Sequence, residues 1–310
     1  MPVIPLSTLP IPANGDVYRA MFVWVTAAAS QDPLDTERSQ QALLTFCGTH
    51  KVNLLYLDIR QYISSGDFDA TKQARLRHFL DAAHTSGIKV MALGGNLDWA
   101  VNQHWVGRNV LRSLAQFNAM GASASHQFDG FCFDVEYWQD EATYPPATNL
   151  PGICELVKSA KKVLGLGTMV GVFSAFALKD NTGVRPTVRY NGTWAQDGEH
   201  LMDVCDFVVV GAYRNTAEEN PGNGQPGQIQ LMQPWYDYAI GNQNKVAALF
   251  CGTETIVVTP SYITYAVMTK AAMEAQQTLV SAALSPNANL AFHGIAVHSY
   301  DGWKAMAEGR

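Results

Sequence analysis

The chain has 310 residues, a formal net charge of -6, 47% hydrophobic and 15% charged residues. That length suits a single α/β barrel, and the apolar share rules out a disordered chain. An acidic balance without a basic run argues against a nucleic-acid partner, and no stretch reaches transmembrane length.

The first sixteen residues, MPVIPLSTLPIPANGD, carry no basic region and are broken by prolines. They read as an irregular lead-in to one domain over 1–310, not as a signal peptide, so the chain as written is expected inside the cell unless a leader has been removed.

Short apolar runs then recur at near-regular spacing: Tyr18 to Val25, Val52 to Ile59, Ile88 to Leu93, Phe128 to Val135, Thr168 to Phe173, Phe207 to Tyr213, Lys245 to Phe250 and Gly294 to Val297. They are rich in Val, Ile, Leu, Phe and Tyr and mostly lack polar alternation, as buried parallel strands do. Between them lie helical patterns over Asp35 to Thr49, Thr71 to Ser86, Trp105 to Met120, Pro151 to Leu164, Gln230 to Ala239 and Thr264 to Ala283; the helix before the sixth strand is least defined, in Trp194 to Leu201. Strands alternating with helices predict an α/β fold, a (β/α)8 TIM barrel. An open doubly wound sheet would want a glycine-rich phosphate loop after a strand, and the glycines of Leu164 to Gly171 precede one.

Five cysteines, Cys47, Cys132, Cys154, Cys205 and Cys251, include no C-x-x-C pair and read as buried free thiols. No His, Cys and Asp set has convincing metal spacing, so neither metal nor other cofactor is expected.

In such a barrel the C-terminal ends of the strands face the active site. The polar and aromatic residues there are Asp58 and Arg60 after strand two, Asn96, Asp98 and Trp99 after strand three, and Asp134, Glu136, Tyr137 and Trp138 after strand four. Tyr213 and Arg214 follow strand six, Glu254 strand seven, and His298, Tyr300, Asp301 and Trp303 strand eight. The inserts Asp180 to Asp197 and Asn215 to Gln230 belong on the same rim. Asp134 and Glu136 are two apart, which on a strand puts both on one side. Adjacent carboxylates raise each other's proton affinity, so one stays protonated near neutral pH, as a general acid for glycoside cleavage must. A purely structural alternative pairs Asp134 with Arg60 or Arg214.

The stretch Asp129-Gly130-Phe131-Cys132-Phe133-Asp134-Val135-Glu136 resembles the strand-four motif of family 18 chitinases, D-G-x-D-x-D-x-E. Ala92-Leu93-Gly94-Gly95 is similar to their strand-three S-x-G-G, and Val210-Gly211-Ala212-Tyr213 to their strand-six M-x-Y. The resemblance implies Glu136 as the acid, Asp134 as the residue orienting a substrate N-acetyl group and Tyr213 as its helper. The chain departs from the pattern at Cys132, Ala92, Val135 and Arg214. A second arrangement, that of many retaining glycosidases with this barrel, pairs a strand-four acid with a strand-seven nucleophile, here Glu136 and Glu254. Either way Asp58, Asn96, Trp99, Tyr137, Trp138, Arg214, His298, Tyr300 and Trp303 are expected to contact a carbohydrate substrate. A sugar-binding barrel without catalysis is the alternative, and a lyase barrel would want a lysine at a strand end, where none stands.

Overall fold

The computed structural model describes residues 17–25, 32–64, 67–102, 104–138, 146–165, 167–175, 187–242, 247–285 and 291–308. The expected lead-in over 1–16 lies outside them. Eight parallel strands close a barrel: β1 Tyr18–Val23, β2 Leu54–Asp58, β3 Lys89–Gly94, β4 Gly130–Phe133, β5 Met169–Ala175, β6 Phe207–Gly211, β7 Ala248–Glu254 and β8 Phe292–His298. Each pairs with its sequence neighbours and β1 pairs with β8, closing the ring. The helices are α1 Glu37–Thr49, α2 Ala70–Thr85, α3 Leu97–Val101, α4 His104–Ala119, α5 Pro146–Leu164, α6 Asp197–Val204, α7 Gln228–Gly241, α8 Lys270–Leu284 and α9 Tyr300–Ala305. The fold is therefore the (β/α)8 barrel that the strand and helix alternation predicts.

Local chemistry sets the boundaries. Thr36 caps α1 through a reciprocal bond with Ser39, and Asp69 caps α2 by accepting from the Thr71 and Lys72 amides. Gly87, at φ +76°, ends α2 where a side chain would be strained.

Three expectations need correction. The helix expected from Thr264 starts only at Lys270, because the Thr264 hydroxyl bonds the Ile256 carbonyl and the Tyr265 amide bonds that of Glu254, tying this segment to the end of β7. Part of Trp194 to Leu201 is strand: Thr187–Tyr190 and Thr193–Gln196 form an antiparallel hairpin before α6. Asn191 and Gly192, with φ +48° and +83°, make its two-residue turn, an Asn-Gly signal legible in the sequence. Finally β7 runs to Glu254, four residues beyond the expected end, which sets that carboxylate on the last rung of the strand.

The core has two layers. Alternate strand residues point inward, so Phe22, Tyr56, Leu93, Cys132, Phe173, Phe207, Val209, Phe250 and Ala296 fill the barrel, while Met21, Leu55, Leu57, Phe131, Phe133, Val208 and Val297 pack under the helices. Phe22 and Tyr56 meet as tilted rings, with centroids 4.8 Å apart, in the interior. All five cysteines are buried and free, as the sequence suggests. No helix among the described residues is long and apolar enough to cross a membrane.

Candidate active site at the barrel mouth

The inward alternation continues above the packed interior. Trp24 after β1, Asp58 on β2, Asp134 after β4 and His298 on β8 are the next inward positions, and Tyr213 after β6 and Glu254 on β7 follow one inward step later, past Gly211 and Gly252; these six form the polar and aromatic floor of the mouth. Period two thus explains why carboxylates follow apolar residues on the same face of the strand.

Strand four ends early. Ladder pairing stops at Phe133, and Glu136 adopts φ +36°, the left-handed region that costs a non-glycine residue on the order of 1–3 kcal/mol. The simple strand argument for Asp134 and Glu136 therefore holds for Asp134 and not for Glu136, which a turn re-aims. Gly95 makes room for this: a Cβ there would lie 2.4 Å from the Asp134 carbonyl oxygen, and the Asp134 amide donates to the Gly94 carbonyl at 3.1 Å. Glycine at position 95 is thus a packing requirement of the strand-four end, whereas a Cβ at Gly94 would meet only ordinary contacts.

Glu136 is half-buried, and its carboxyl is pushed up to about 7, first by burial and then by the neighbouring charge of Asp134; a charge on His298 would pull the other way. Asp134 is also shifted upward, mainly by burial, with Asp58 adding, Arg60 opposing, and His298 opposing only when it carries a charge. Beneath it Cys132 is fully buried, and burial holds its thiol protonated and neutral. The Tyr213 phenol is pushed upward by burial and by the fields of Glu254, Asp134 and Glu136, so it stays a hydroxyl. Consecutive tight turns after β6, Ala212 amide to Val210 carbonyl and Tyr213 amide to Gly211 carbonyl, both 2.7 Å, set its direction.

Glu254 is nearly enclosed, at 6% exposure. Its Oε1 accepts from the amides of Thr255 at 2.8 Å and Ile256 at 2.7 Å, and both its oxygens lie within 3.1 Å of His298 Nδ1. The opposite imidazole nitrogen, Nε2, lies 2.7 Å from the indole nitrogen of Trp24. Trp24 was not among the residues singled out from the sequence; its place at the end of strand one was the available signal. Phe22, Trp24, His298, Tyr213, Phe173 and Trp138 form a continuous aromatic wall, with successive ring centroids 5.7–6.2 Å apart.

The other expected contacts divide. Trp138 is half-buried and joins the wall. Asp58 is buried and takes the Arg60 fork, Nε at 2.9 Å and Nη2 at 3.1 Å, so Arg60 reaches Asp134 through its field alone. Arg60 lies over the Trp24 ring at 5.4 Å. Arg214 is buried, donates to the Tyr213 carbonyl and sits over Tyr262. Asn96 is exposed and caps α3 through the Asp98 amide.

Four residues turn away from the mouth, contrary to expectation. Trp99 is buried in the outer layer beside Gly107, where the missing Cβ leaves room for its ring. Tyr137 is buried and its hydroxyl donates to Asp197 at 3.1 Å. Tyr300 and Trp303 pack edge-on against Phe46 of α1, and Trp303 is wholly buried. Trp99, Tyr300 and Trp303 lie on short helices after the strand ends and Tyr137 in a turn, where side chains no longer alternate in and out, and this turns them outward. Among the described residues no group of three His, Cys, Asp or Glu is arranged to hold a metal ion.

No protein-family model matches this chain, and neither does any curated protein. Solved structures do. A chitinase from Bacteroides thetaiotaomicron is 10% identical with a TM-score of 0.57, over 92% of this chain and 90% of that one. A family 18 chitinase from Chromobacterium violaceum is 16% identical with a TM-score of 0.52, over 93% and 79%. The β-mannanase of the blue mussel Mytilus edulis is 14% identical with a TM-score of 0.51, over 93% and 90%. The chain shares with these glycosidases the (β/α)8 barrel fold.

Proposed function

We propose that this protein is a glycoside hydrolase that cleaves a poly- or oligosaccharide, with Glu136 as its general acid. The observation that carries the reading is a carboxyl at the C-terminal end of strand four that holds its proton to about pH 7, beside a second carboxyl, on an aromatic-walled mouth. A protonated Glu136 delivers its proton to the leaving glycosidic oxygen, and positive charge then develops on the sugar ring. Asp134 stabilises that charge or aligns a neighbouring group of the substrate, with the Tyr213 hydroxyl as donor. The bonds at Glu254, two backbone amides on Oε1 and the His298 imidazole, together with its near-complete burial, fit a carboxylate that orients its neighbours better than one that attacks the sugar. Trp138, half-buried at the edge of the wall, offers the flat apolar surface that sugar rings stack on.

Cys132 favours a second reading. A neutral thiol stands where the family 18 motif has an acid, as it would in a barrel that binds a glycan without cleaving it. One experiment separates the two: product release from a panel of polysaccharides and oligosaccharides, read by mass spectrometry, with Glu136→Gln beside the wild type. Cleavage by wild type that the variant loses supports the hydrolase. Binding by both with cleavage by neither supports the binding protein. Full activity in the variant refutes Glu136 as the acid.

A further inference from the structure

We infer that Trp24 is a positioning residue of the mouth: its indole N–H, bonded to His298, keeps that imidazole neutral, with the single ring proton on Nδ1 facing Glu254. The kinetic consequence drawn below rests on the hydrolase reading; the inference about the ring does not.

An indole nitrogen is a donor only. At 2.7 Å from Trp24 Nε1, His298 Nε2 must therefore present its lone pair. A neutral ring with Nε2 bare carries its proton on Nδ1, and Nδ1 lies 3.0 and 3.1 Å from the two Glu254 oxygens, which are acceptors. Glu254 is itself fixed by the Thr255 and Ile256 amides. The line Trp24, His298, Glu254 thus has one consistent proton arrangement, and every donor in it has an acceptor. Rings hold the imidazole from three sides: Phe22 at 5.6 Å, Trp24 at 5.7 Å and Tyr213 at 6.2 Å between centroids.

The groups that face this ring are Glu254 from β7, Asp134 and Glu136 from beyond β4, and Tyr213 from beyond β6, with Arg60 from beyond β2 lying over Trp24. Most of them are acids and would welcome a cation. Protonation of His298 at Nε2 would turn two donors toward each other and break the Trp24 bond. It would also set a positive charge beside Asp134 and Glu136 and draw the proton off Glu136. By occupying Nε2, Trp24 opposes that event and keeps the candidate acid charged with its proton. Trp24→Phe keeps the ring in the wall and removes only the donor.

The test is 15N NMR of the imidazole nitrogens in the substrate-free protein, with His298→Gln to assign the signals. The wild type is expected to show a protonated Nδ1 and a bare Nε2 near neutral pH, with a coupling across the hydrogen bond between Trp24 Nε1 and His298 Nε2. Trp24→Phe, which frees Nε2 of its donor, is expected to let that nitrogen take a proton at a pH where the wild type keeps it bare. A protonated Nε2 in the wild type, a missing coupling, or an unmoved titration in Trp24→Phe overturns the inference. The coupling needs no variant, so a Trp24→Phe protein that fails to fold leaves it testable. On a cleaved substrate, Trp24→Phe is further expected to lose activity at lower pH than the wild type. The NMR needs no substrate, so a protein that cleaves nothing defeats the hydrolase reading and leaves this one standing.

Discussion

Glu254 and His298 are register partners on the last rung of neighbouring parallel strands, and the His298 Nδ1 lies 3.0 and 3.1 Å from the two carboxylate oxygens. In a parallel ladder such partners share a face, so β7 and β8 deliver the pair to the mouth already aligned. With two backbone amides also on Glu254, this carboxylate is placed to orient an imidazole, and the proposed hydrolysis assigns proton transfer to the acids of strand four.

Glu136→Gln is expected to lower turnover of a cleaved glycan by about 10²–10⁴ while leaving glycan affinity nearly unchanged. Steady-state kinetics beside equilibrium binding check this; a parallel loss of both would mean that the side chain holds substrate and does not donate a proton.

The same variant has a signature in stability. A carboxyl whose proton affinity is raised on folding stabilises the fold while protonated, and that contribution is lost as pH rises from its unfolded value of 4.5 through about 7. Glu136→Gln is therefore expected to be more stable than the wild type above about pH 7, on the order of 1–3 kcal/mol, and equal to it below about pH 4. Thermal denaturation at both ends of this range tests the sign.

Activity that depends on protonated Glu136 should fall as pH rises through about 7. Burial is the larger cause of that shift and Asp134 the second, so Asp134→Asn should move the alkaline limb of residual activity to lower pH without abolishing it. An unmoved limb would show that the two carboxyls do not interact.

Trp303 and Trp138 should separate. Trp303→Ala is expected to cost about 3–5 kcal/mol of stability, since the ring is wholly buried against Phe46 and His50. Trp138→Ala should cost less stability and weaken glycan binding. Chemical denaturation and a binding assay on the two variants decide, and a reversed pattern would misplace the mouth.

Gly95→Ala is expected to destabilise by about 1–3 kcal/mol, because its methyl would meet the Asp134 carbonyl and something must shift. It should also lower activity through Asp134, whereas Gly48→Ala, with open space at its Cβ, should leave activity intact.

Much of this was legible in the residues. Apolar runs of strand length alternating with helical periods specify a parallel sheet buried on both sides, and eight such runs without a glycine-rich phosphate loop after a strand select the closed (β/α)8 barrel over the open doubly wound sheet. Strand ends then mark where chemistry can sit, and Asp134, Tyr213, Glu254 and His298 all arrive at the mouth from that rule alone. Sequence could not decide what happens one step past a strand. There alternation lapses, so Trp99, Tyr137, Tyr300 and Trp303 turned into packing while Glu136 was re-aimed by a left-handed turn. Nor could it pair residues far apart in the chain: Trp24 meets His298 across 274 positions, and their bond exists only because β1 closes the barrel against β8. Local pattern fixes which residues face inward, whereas distance, burial and partner fix what each one does, and those are properties of the closed ring.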